Sequence, residues 1–172
     1  LYINLLNSFI ENNEDFYYIN KLKQTLNFIN REFISENGLL GSAYDADSEG
    51  IEGKYYVYNY EEIKNIDDID KFFDVRPEGN WEGKIILDEL KEPNKEIINK
   101  LFSIRSKRKK PFFDNKNQLD LNCLWVTSLI SLHSIIPNSN YLENAEKFYE
   151  RIEKKFCTSN IYHSYSKNIS FL

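Results

Sequence analysis

Two stretches near the start of the chain have the hydrophobic spacing of paired helices. Residues 1–10 contain no charged side chain, so little of a helix over 1–11 would face water. A second, amphipathic helix is predicted over 15–34 because apolar residues recur at steps of three and four, at Phe16, Ile19, Leu22, Leu26, Ile29 and Phe33. The short connection at Asn12-Asn13 predicts that the two helices pack as an antiparallel pair.

The same arrangement returns near the end of the chain. Residues 119–136 are apolar almost all round, with Asp120 as the one carboxylate, which predicts a buried helix that ends at Pro137. Residues 140–156 predict an amphipathic helix whose apolar face carries Leu142, Ala145, Phe148, Tyr149, Ile152 and Phe156.

A repeated pair of one buried and one amphipathic helix is typical of helical toroids and solenoids. We therefore expect a mostly α fold, a partial (α/α) barrel or toroid of helical hairpins with a small β-containing excursion. Residues 1–172 would be a fragment of one barrel domain, with hairpins at about 1–34 and 117–157 and the excursion at about 35–116. The chain begins at Leu1 and contains no Met, which also favours a fragment.

The excursion contains all six glycines and therefore most of the turns. Ser42–Tyr44 and 54–58 are expected to pair as a hairpin across an acidic loop. Asn59 should cap a short helix, with Glu62 completing a capping box. Further elements are predicted as a short helix over 67–74, a strand over 84–87 after a turn at 79–83, and a helix from Pro93 to Lys107.

Composition limits the classes of function. The chain is 41% hydrophobic and 28% charged, which is typical of a soluble globular protein. The net charge of −5 argues against general nucleic-acid binding. No apolar run approaches the roughly 18 residues that span a bilayer. Cys123 and Cys157 have no metal-site spacing and fit a reducing, cytoplasmic location, and no cofactor or metal is expected.

Three runs resemble one known family: SAYDADSEGIEGKYYVYNYEEI at 42–63, GNWEGKIIL at 79–87 and RSKRKKPFFDNK at 105–116. They are similar to motifs of the spermatogenesis-associated protein 20 family of thioredoxin-domain proteins, and the resemblance covers about residues 25–165. It implies a thioredoxin-like domain upstream as a partner. It also implies a helical barrel related to six-hairpin glycosidase and sugar-epimerase barrels, although fold analogy alone is a weak warrant for function.

The chain departs from the family pattern at three places. Tyr58 stands where the family has Trp, and Asn115 replaces the second Asp of the third motif. The Trp-Asn-Gly helix start becomes Leu121-Asn122-Cys123, which keeps only Asn122. This loss favours a non-catalytic role for the domain.

The acidic loop is the first candidate site. Asp45 and Asp47 are candidate catalytic carboxylates and Glu49 a candidate ligand-binding residue, because close carboxylates can act as an acid/base pair or hold a cation. The spacing mimics the start of an EF-hand loop, but Tyr56 stands where that loop needs its bidentate Glu. The alternative is that these side chains cap turns and pair with basic residues.

Alternation of the helices places further candidates at the same end of the barrel. Arg105 and Arg108 stand one helical turn apart and are expected to pair with the Asp45/Asp47 loop or to hold an anionic ligand. The other candidates are His163 as a catalytic base, and Asp114, Lys116 and Asn122 as ligand-binding residues. His133 is expected to be a core histidine with a hydrogen-bond partner.

The aromatic residues of the excursion suggest a carbohydrate groove or ordinary packing against helices, at Tyr44, Tyr55, Tyr56, Tyr58, Tyr60 and Trp81. Two functions therefore stay open. The domain binds or acts on a small carbohydrate-like ligand, or it is a non-catalytic structural or protein-interaction module that serves the thioredoxin-like domain.

Overall fold

A computed structural model describes residues 2–12, 16–136 and 140–165, and these form two compact units. The first, here called the helical unit, contains residues 1–43 and 113–172, and the second unit contains residues 44–112. The helices are α1 (Tyr2–Asn12), α2 (Phe16–Glu32), α3 (Tyr60–Ile63), α4 (Lys95–Ser106), α5 (Leu119–Ile135) and α6 (Tyr141–Phe156), with a 3₁₀ turn at Ile69–Lys71. The strands are β1 (Ala43–Tyr44), β2 (Asp47–Ser48), β3 (Ile51–Glu52), β4 (Phe113–Asp114), β5 (Asn117–Gln118) and β6 (Ser164–Tyr165).

The helical unit is held together by the apolar faces of α1, α2, α5 and α6. Helix α1 packs on α2 and on α5, and α5 packs on α6. Each large aliphatic or aromatic side chain buried this way contributes roughly 1.5–3 kcal/mol of transfer free energy. The buried core comprises Ile3, Leu6, Ile10, Leu22, Leu26, Leu39, Trp125, Leu129, Leu132, Ala145, Phe148, Ile152 and Phe156.

The four long helices are confirmed to within two residues at each described end, and the chain is mostly helical with small two-stranded sheets. The described residues do not form a closed barrel or toroid. Positions 1, 13–15 and 137–139 lie outside the described residues, so the predicted turn at Asn13 and the stop at Pro137 are not tested. No helix in the described part of the chain is long and apolar enough to cross a membrane.

The expected all-round burial of the helix at 119–136 is wrong. Leu124 and Ile130 are 39% and 49% exposed, because α5 buries one face, which contains Trp125, Leu129 and Leu132 at helical spacing. Leu142 and Tyr149 on α6 were placed on its apolar face and are also exposed. Periodicity shows which residues share a face, but the packing decides which part of a wide apolar face is covered.

Small strand pairs complete the helical unit. Strand β5 pairs antiparallel with β6, with Asn117 opposite Tyr165 and Gln118 opposite Ser164. Strand β1, whose Ala43 belongs to this unit, pairs with β4. Gly41 lies against β4 so closely that a Cβ there would be 2.4 Å from Phe113 Cζ. Gly38 and Gly41 therefore belong to the helical unit and not to the second unit.

The second unit has its own core under α3 and α4. Its buried residues are Tyr58, Ile63, Ile66, Ile69, Phe73, Ile85, Ile97 and Leu101. Asn59 forms the expected capping box with Glu62 at the start of α3. Asn94 caps α4 by accepting a hydrogen bond from Ile97 N, so this helix begins two residues after Pro93.

Several expected elements of the second unit differ from the structure. The predicted hairpin between 42–44 and 54–58 is wrong, because β1 pairs with β4 and Tyr58 pairs with Ile85. The helix expected over 67–74 is one 3₁₀ turn, and the strand expected over 84–87 reduces to isolated bridges at Lys84 and Ile85. The β1–β4 and Tyr58–Ile85 pairings join residues distant in sequence, which local patterns do not specify.

Two tight turns in the second unit have the same Glu-Gly sequence. Glu49-Gly50 joins β2 to β3 with φ of 56° and 75°, and Glu82-Gly83 joins Trp81 to Lys84 with φ of 47° and 71°. Positive φ at both central residues is what a type I′ hairpin turn requires, and Asn is the usual first residue.

We expect Glu49→Asn to be about 0.5 kcal/mol more stable than Glu49→Ala, because Asn tolerates positive φ better. Both variants lose the ion pair of Glu49 with Lys54. The difference between their free energies of unfolding therefore reports the cost of positive φ at this position. Urea unfolding of the two variants measures it. Equal midpoints would show that the turn does not limit stability.

Candidate functional site

The acidic loop is a turn whose polar side chains bond to backbone groups or to a nearby lysine. Asp45 Oδ1 accepts a hydrogen bond from Asp47 N at 3.2 Å, and buried Ser48 Oγ donates to Lys109 O at 2.6 Å. Glu49 Oε2 lies 2.7 Å from Lys54 Nζ, and this hydrogen bond and the lysine's charge lower the pKa of the carboxyl group. These contacts favour the turn-capping interpretation of the loop.

Arg108 is the most highly connected charged residue of the second unit. Its guanidinium donates to the carbonyl oxygens of Tyr55, at 3.0 Å, and Val57. Its Nη2 lies 3.2 Å from both carboxylate oxygens of Glu62, and the group stands 4.6 Å from the centre of the Tyr58 ring. Internal pairing was expected with Asp45 or Asp47, but the partner is Glu62.

Arg105, one turn earlier on α4, has a different environment. Its guanidinium carbon lies 5.7 Å from the Tyr55 ring centre and 5.8 Å from that of Phe102. Its Nε is buried without a hydrogen-bond partner among the described residues. Arg105 is therefore held mainly by aromatic contacts.

A cleft of about 400 Å³ opens on the second unit beside Arg108, and we call it the Trp81 cleft. Trp81 is 39% exposed, and its ring packs over Gly53, where an added Cβ would lie 3.6 Å from the indole. The lining consists of Ile51, Glu52, Lys54, Val57, Asn59, Glu62, Trp81, Glu82, Lys84 and Arg108. An aromatic surface beside several charged and amide groups suits a small polar ligand.

Most polar groups of this cleft are already oriented by neighbours. Glu62 accepts from Asn59 N at 2.7 Å and pairs with Arg108, so one carboxylate links the cap of α3 to the end of α4. Lys84 Nζ donates to Asn59 Oδ1 at 2.6 Å. Groups fixed in this way present donors and acceptors in a constant arrangement, which lowers the entropic cost of binding a ligand.

Tyr58 forms part of the support beneath the Trp81 cleft. Its hydroxyl donates to Leu101 O at 3.0 Å, and its ring is buried beside the Arg108 guanidinium. Burial raises the pKa of the Tyr58 phenol, while Arg105 and Arg108 oppose that rise. The phenol therefore stays neutral at pH 7 and acts as a hydrogen-bond donor.

The other predicted site residues belong to the helical unit. Asp114 Oδ1 accepts from Lys116 N at 3.0 Å, and the two side chains form a longer ion pair of 3.7 Å. His163 is exposed, and its imidazole makes no hydrogen bond within the described part of the chain. Its carbonyl accepts from Leu119 N at 2.9 Å. A general base needs an oriented ring, and this contact orients only the backbone.

Asn122 is fully buried at the start of α5. Its Oδ1 accepts from Leu40 N at 2.8 Å, and its Nδ2 donates to Gln118 O at 2.8 Å and Leu40 O at 3.2 Å. Asn117 adds a donation to Leu40 O at 2.8 Å. These amides hold the segment after α2 against the start of α5.

The nine predicted site residues are thus divided between the two units. Asp45, Asp47, Glu49, Arg105 and Arg108 belong to the second unit, and Asp114, Lys116, Asn122 and His163 to the helical unit. Of the nine, only Arg108 lines the Trp81 cleft. The catalytic roles of Asp45, Asp47 and His163 stay predictions.

Sequence reasoning missed Glu52, Glu82 and Lys84 as cleft residues and Asn117 as a buried polar residue. The repeated Glu-Gly turns could have indicated Glu52, Glu82 and Lys84, because each turn places a neighbouring side chain at the cleft. Asn117 carried no local signal. His133 was expected to have a partner, but its buried Nδ1 has none among the described residues.

The described residues contain no group of three or more His, Cys, Asp and Glu side chains arranged to hold a metal ion. Burial raises the pKa of the Cys123 thiol, so this group is a poor nucleophile near neutral pH.

In comparison with known proteins, the chain matches no family model and has no significant match among curated proteins.

Proposed function

We propose that the protein binds a small carbohydrate-like ligand in the Trp81 cleft. The observation that carries the proposal is a half-exposed indole in a cleft of about 400 Å³ whose wall also holds the oriented Arg108–Glu62 pair. Sugars offer apolar C–H faces that pack on an aromatic ring and hydroxyl groups that hydrogen-bond to charged side chains. The resemblance to sugar-epimerase barrels points to the same ligand class, as an analogy of fold.

The two tryptophans make this proposal testable by fluorescence. Trp125 is 4% exposed in the helical unit and Trp81 is 39% exposed in the cleft, so Trp125→Phe leaves one reporting indole. Titration of this variant with glucose, galactose and xylose should give a saturable emission change. We expect a dissociation constant on the order of 1 mM for at least one sugar, which corresponds to about −4 kcal/mol.

Calorimetry of the otherwise unchanged protein checks the site. Trp81→Ala should weaken binding about tenfold or more, since the aromatic surface is lost. Tyr56→Ala is the matched control, because Tyr56 is an exposed aromatic residue of the same unit that does not line the cleft. A flat titration with every sugar, or equal loss in both variants, would refute the proposal.

The second candidate function is a non-catalytic interaction module, and a cleft of the helical unit favours it. This cleft of about 360 Å³ lies between α1, α2 and α5 and is lined mainly by apolar side chains, among them Phe28, Phe33, Leu124 and Trp125. Phe28 and Leu124 are substantially exposed. This candidate becomes the better one if no sugar binds at Trp81.

We also propose that the helical unit is an arc of an (α/α) barrel of the family that the motifs resemble. Two packed pairs, α1 with α2 and α5 with α6, support it, because paired inner and outer helices are the repeating element of such barrels. The link to a thioredoxin-like domain depends on the same resemblance.

A further inference from the structure

The Trp81 cleft is lined by three carboxylates and three cationic side chains, but most of those without an ion-pair partner in the described part of the chain are negative. Arg108 and Glu62 neutralise each other, and Lys54 is neutralised by Glu49, which lies outside the lining. Lys84 remains positive but is held by a neutral amide, that of Asn59. Two carboxylates line the same cleft, those of Glu52 and Glu82.

Neither of those two carboxylates has a partner among the described residues. Within residues 2–12, 16–136 and 140–165, the side chains of Glu52 and Glu82 form no ion pair and no hydrogen bond, and both residues are exposed. Two free carboxylates therefore face one ammonium group in the cleft. A ligand that carries a positive charge would restore the balance without breaking an existing pair.

The backbone holds one of these carboxylates next to the indole. Glu82 follows Trp81 and is kept at a φ of 47° by the turn that pairs Trp81 with Lys84. A left-handed conformation is unfavourable for most non-glycine residues, and Gly or Asn would avoid most of that cost.

We infer that the carbohydrate-like ligand of this cleft carries a protonated amine. The indole face attracts a cation through its π electrons, and Glu52 and Glu82 accept charge-assisted hydrogen bonds from an ammonium group. A carboxylated sugar would meet repulsion from the same two groups. This inference rests on the proposed function and names the substrate class of that site.

Calorimetric titration of the unchanged protein with three sugars of one ring type tests it. Glucosamine below the pKa of its amine should bind about tenfold more tightly than glucose, and glucuronate should bind more weakly than glucose. The advantage of glucosamine should fall in 0.5 M salt, where charge interactions are screened. These comparisons need no variant.

Two conservative variants locate the effect. Glu52→Gln and Glu82→Gln should each reduce the affinity of glucosamine relative to that of glucose, measured on the same variant, about threefold, and the double variant should abolish the difference. Glu92→Gln is the matched control, because Glu92 is an exposed carboxylate of the same unit outside the lining. It should leave all three affinities unchanged.

The outcomes separate this inference from the proposed function. Equal binding of glucose and glucosamine, or a preference unchanged in the double variant, overturns the inference and leaves sugar binding at Trp81 intact. No binding of any of the three sugars overturns the inference, and flat titrations with galactose and xylose as well overturn both.

Discussion

Replacement of Arg108 by methionine should lower the free energy of unfolding by about 3 kcal/mol, because it leaves several partners of a largely buried charge unsatisfied. The Arg108 side chain is 17% exposed. Its removal leaves the carbonyl groups of Tyr55 and Val57 without this donor and Glu62 without its counter-ion. Methionine keeps an aliphatic stem but loses the guanidinium contact with the Tyr58 ring, so the loss reports the hydrogen bonds, the ion pair and this cation–π contact together.

Urea unfolding followed by circular dichroism measures this effect. The matched control is Arg76→Met, which removes an exposed arginine that pairs with Asp74 at 2.7 Å, and its effect on stability should be much smaller than that of Arg108→Met. Glu62→Gln keeps the α3 cap and should fall between the two variants. A stability loss at Arg108 no larger than that at Arg76 would contradict the assigned role.

Replacement of Asn122 by leucine should destabilise the protein by about 3 kcal/mol and should do so through the helical unit. The side chain is completely buried, and its amide satisfies Leu40 N and donates to the carbonyl groups of Leu40 and Gln118. Leucine has nearly the same shape but leaves the N–H of the partly buried Leu40 without a partner, which costs about 1–3 kcal/mol by itself. Leu40 O keeps one donor, from Asn117.

Thermal and urea unfolding measure this loss, with Asn144→Leu as control. Asn144 is an exposed asparagine on α6, so the same substitution there should change stability by less than about 0.5 kcal/mol. Amide hydrogen exchange should also show faster exchange at Leu40 in the Asn122 variant. Wild-type stability with Asn122→Leu would show that these hydrogen bonds are replaceable.

Arg108 and Asn122 show that a sequence motif does not distinguish a ligand contact from a folding contact. Arg108 and Asn122 were both selected as site residues, and the structure gives both of them extensive internal contacts. A motif identifies residues that are constrained, but ligand contacts and folding contacts constrain a residue in the same way. The contacts with Glu62 and Leu40 favour folding roles for Arg108 and Asn122. Sequence patterns do not reveal these contacts, because each joins residues that are far apart in the chain.

The Trp81 cleft was predictable only in part. Trp81 was recognised as a member of an aromatic-rich region, and the Glu-Gly turns are readable from sequence because Gly permits positive φ. The exposure of Trp81 is different, since Tyr55 and Tyr58 from the same region are buried. Which aromatic residue faces outward depends on the α4 residues that pack against the others.

The sequence by itself determined the elements whose energetics are local. Helical periodicity placed α1, α2, α5 and α6, and the Asn59–Glu62 capping box placed α3, because these interactions join residues within a few positions. The tertiary structure alone decided the strand partners, the exposed face of α5 and the partner of Arg108. These depend on contacts between distant residues, whose formation requires the chain to close long loops and bury specific surfaces together.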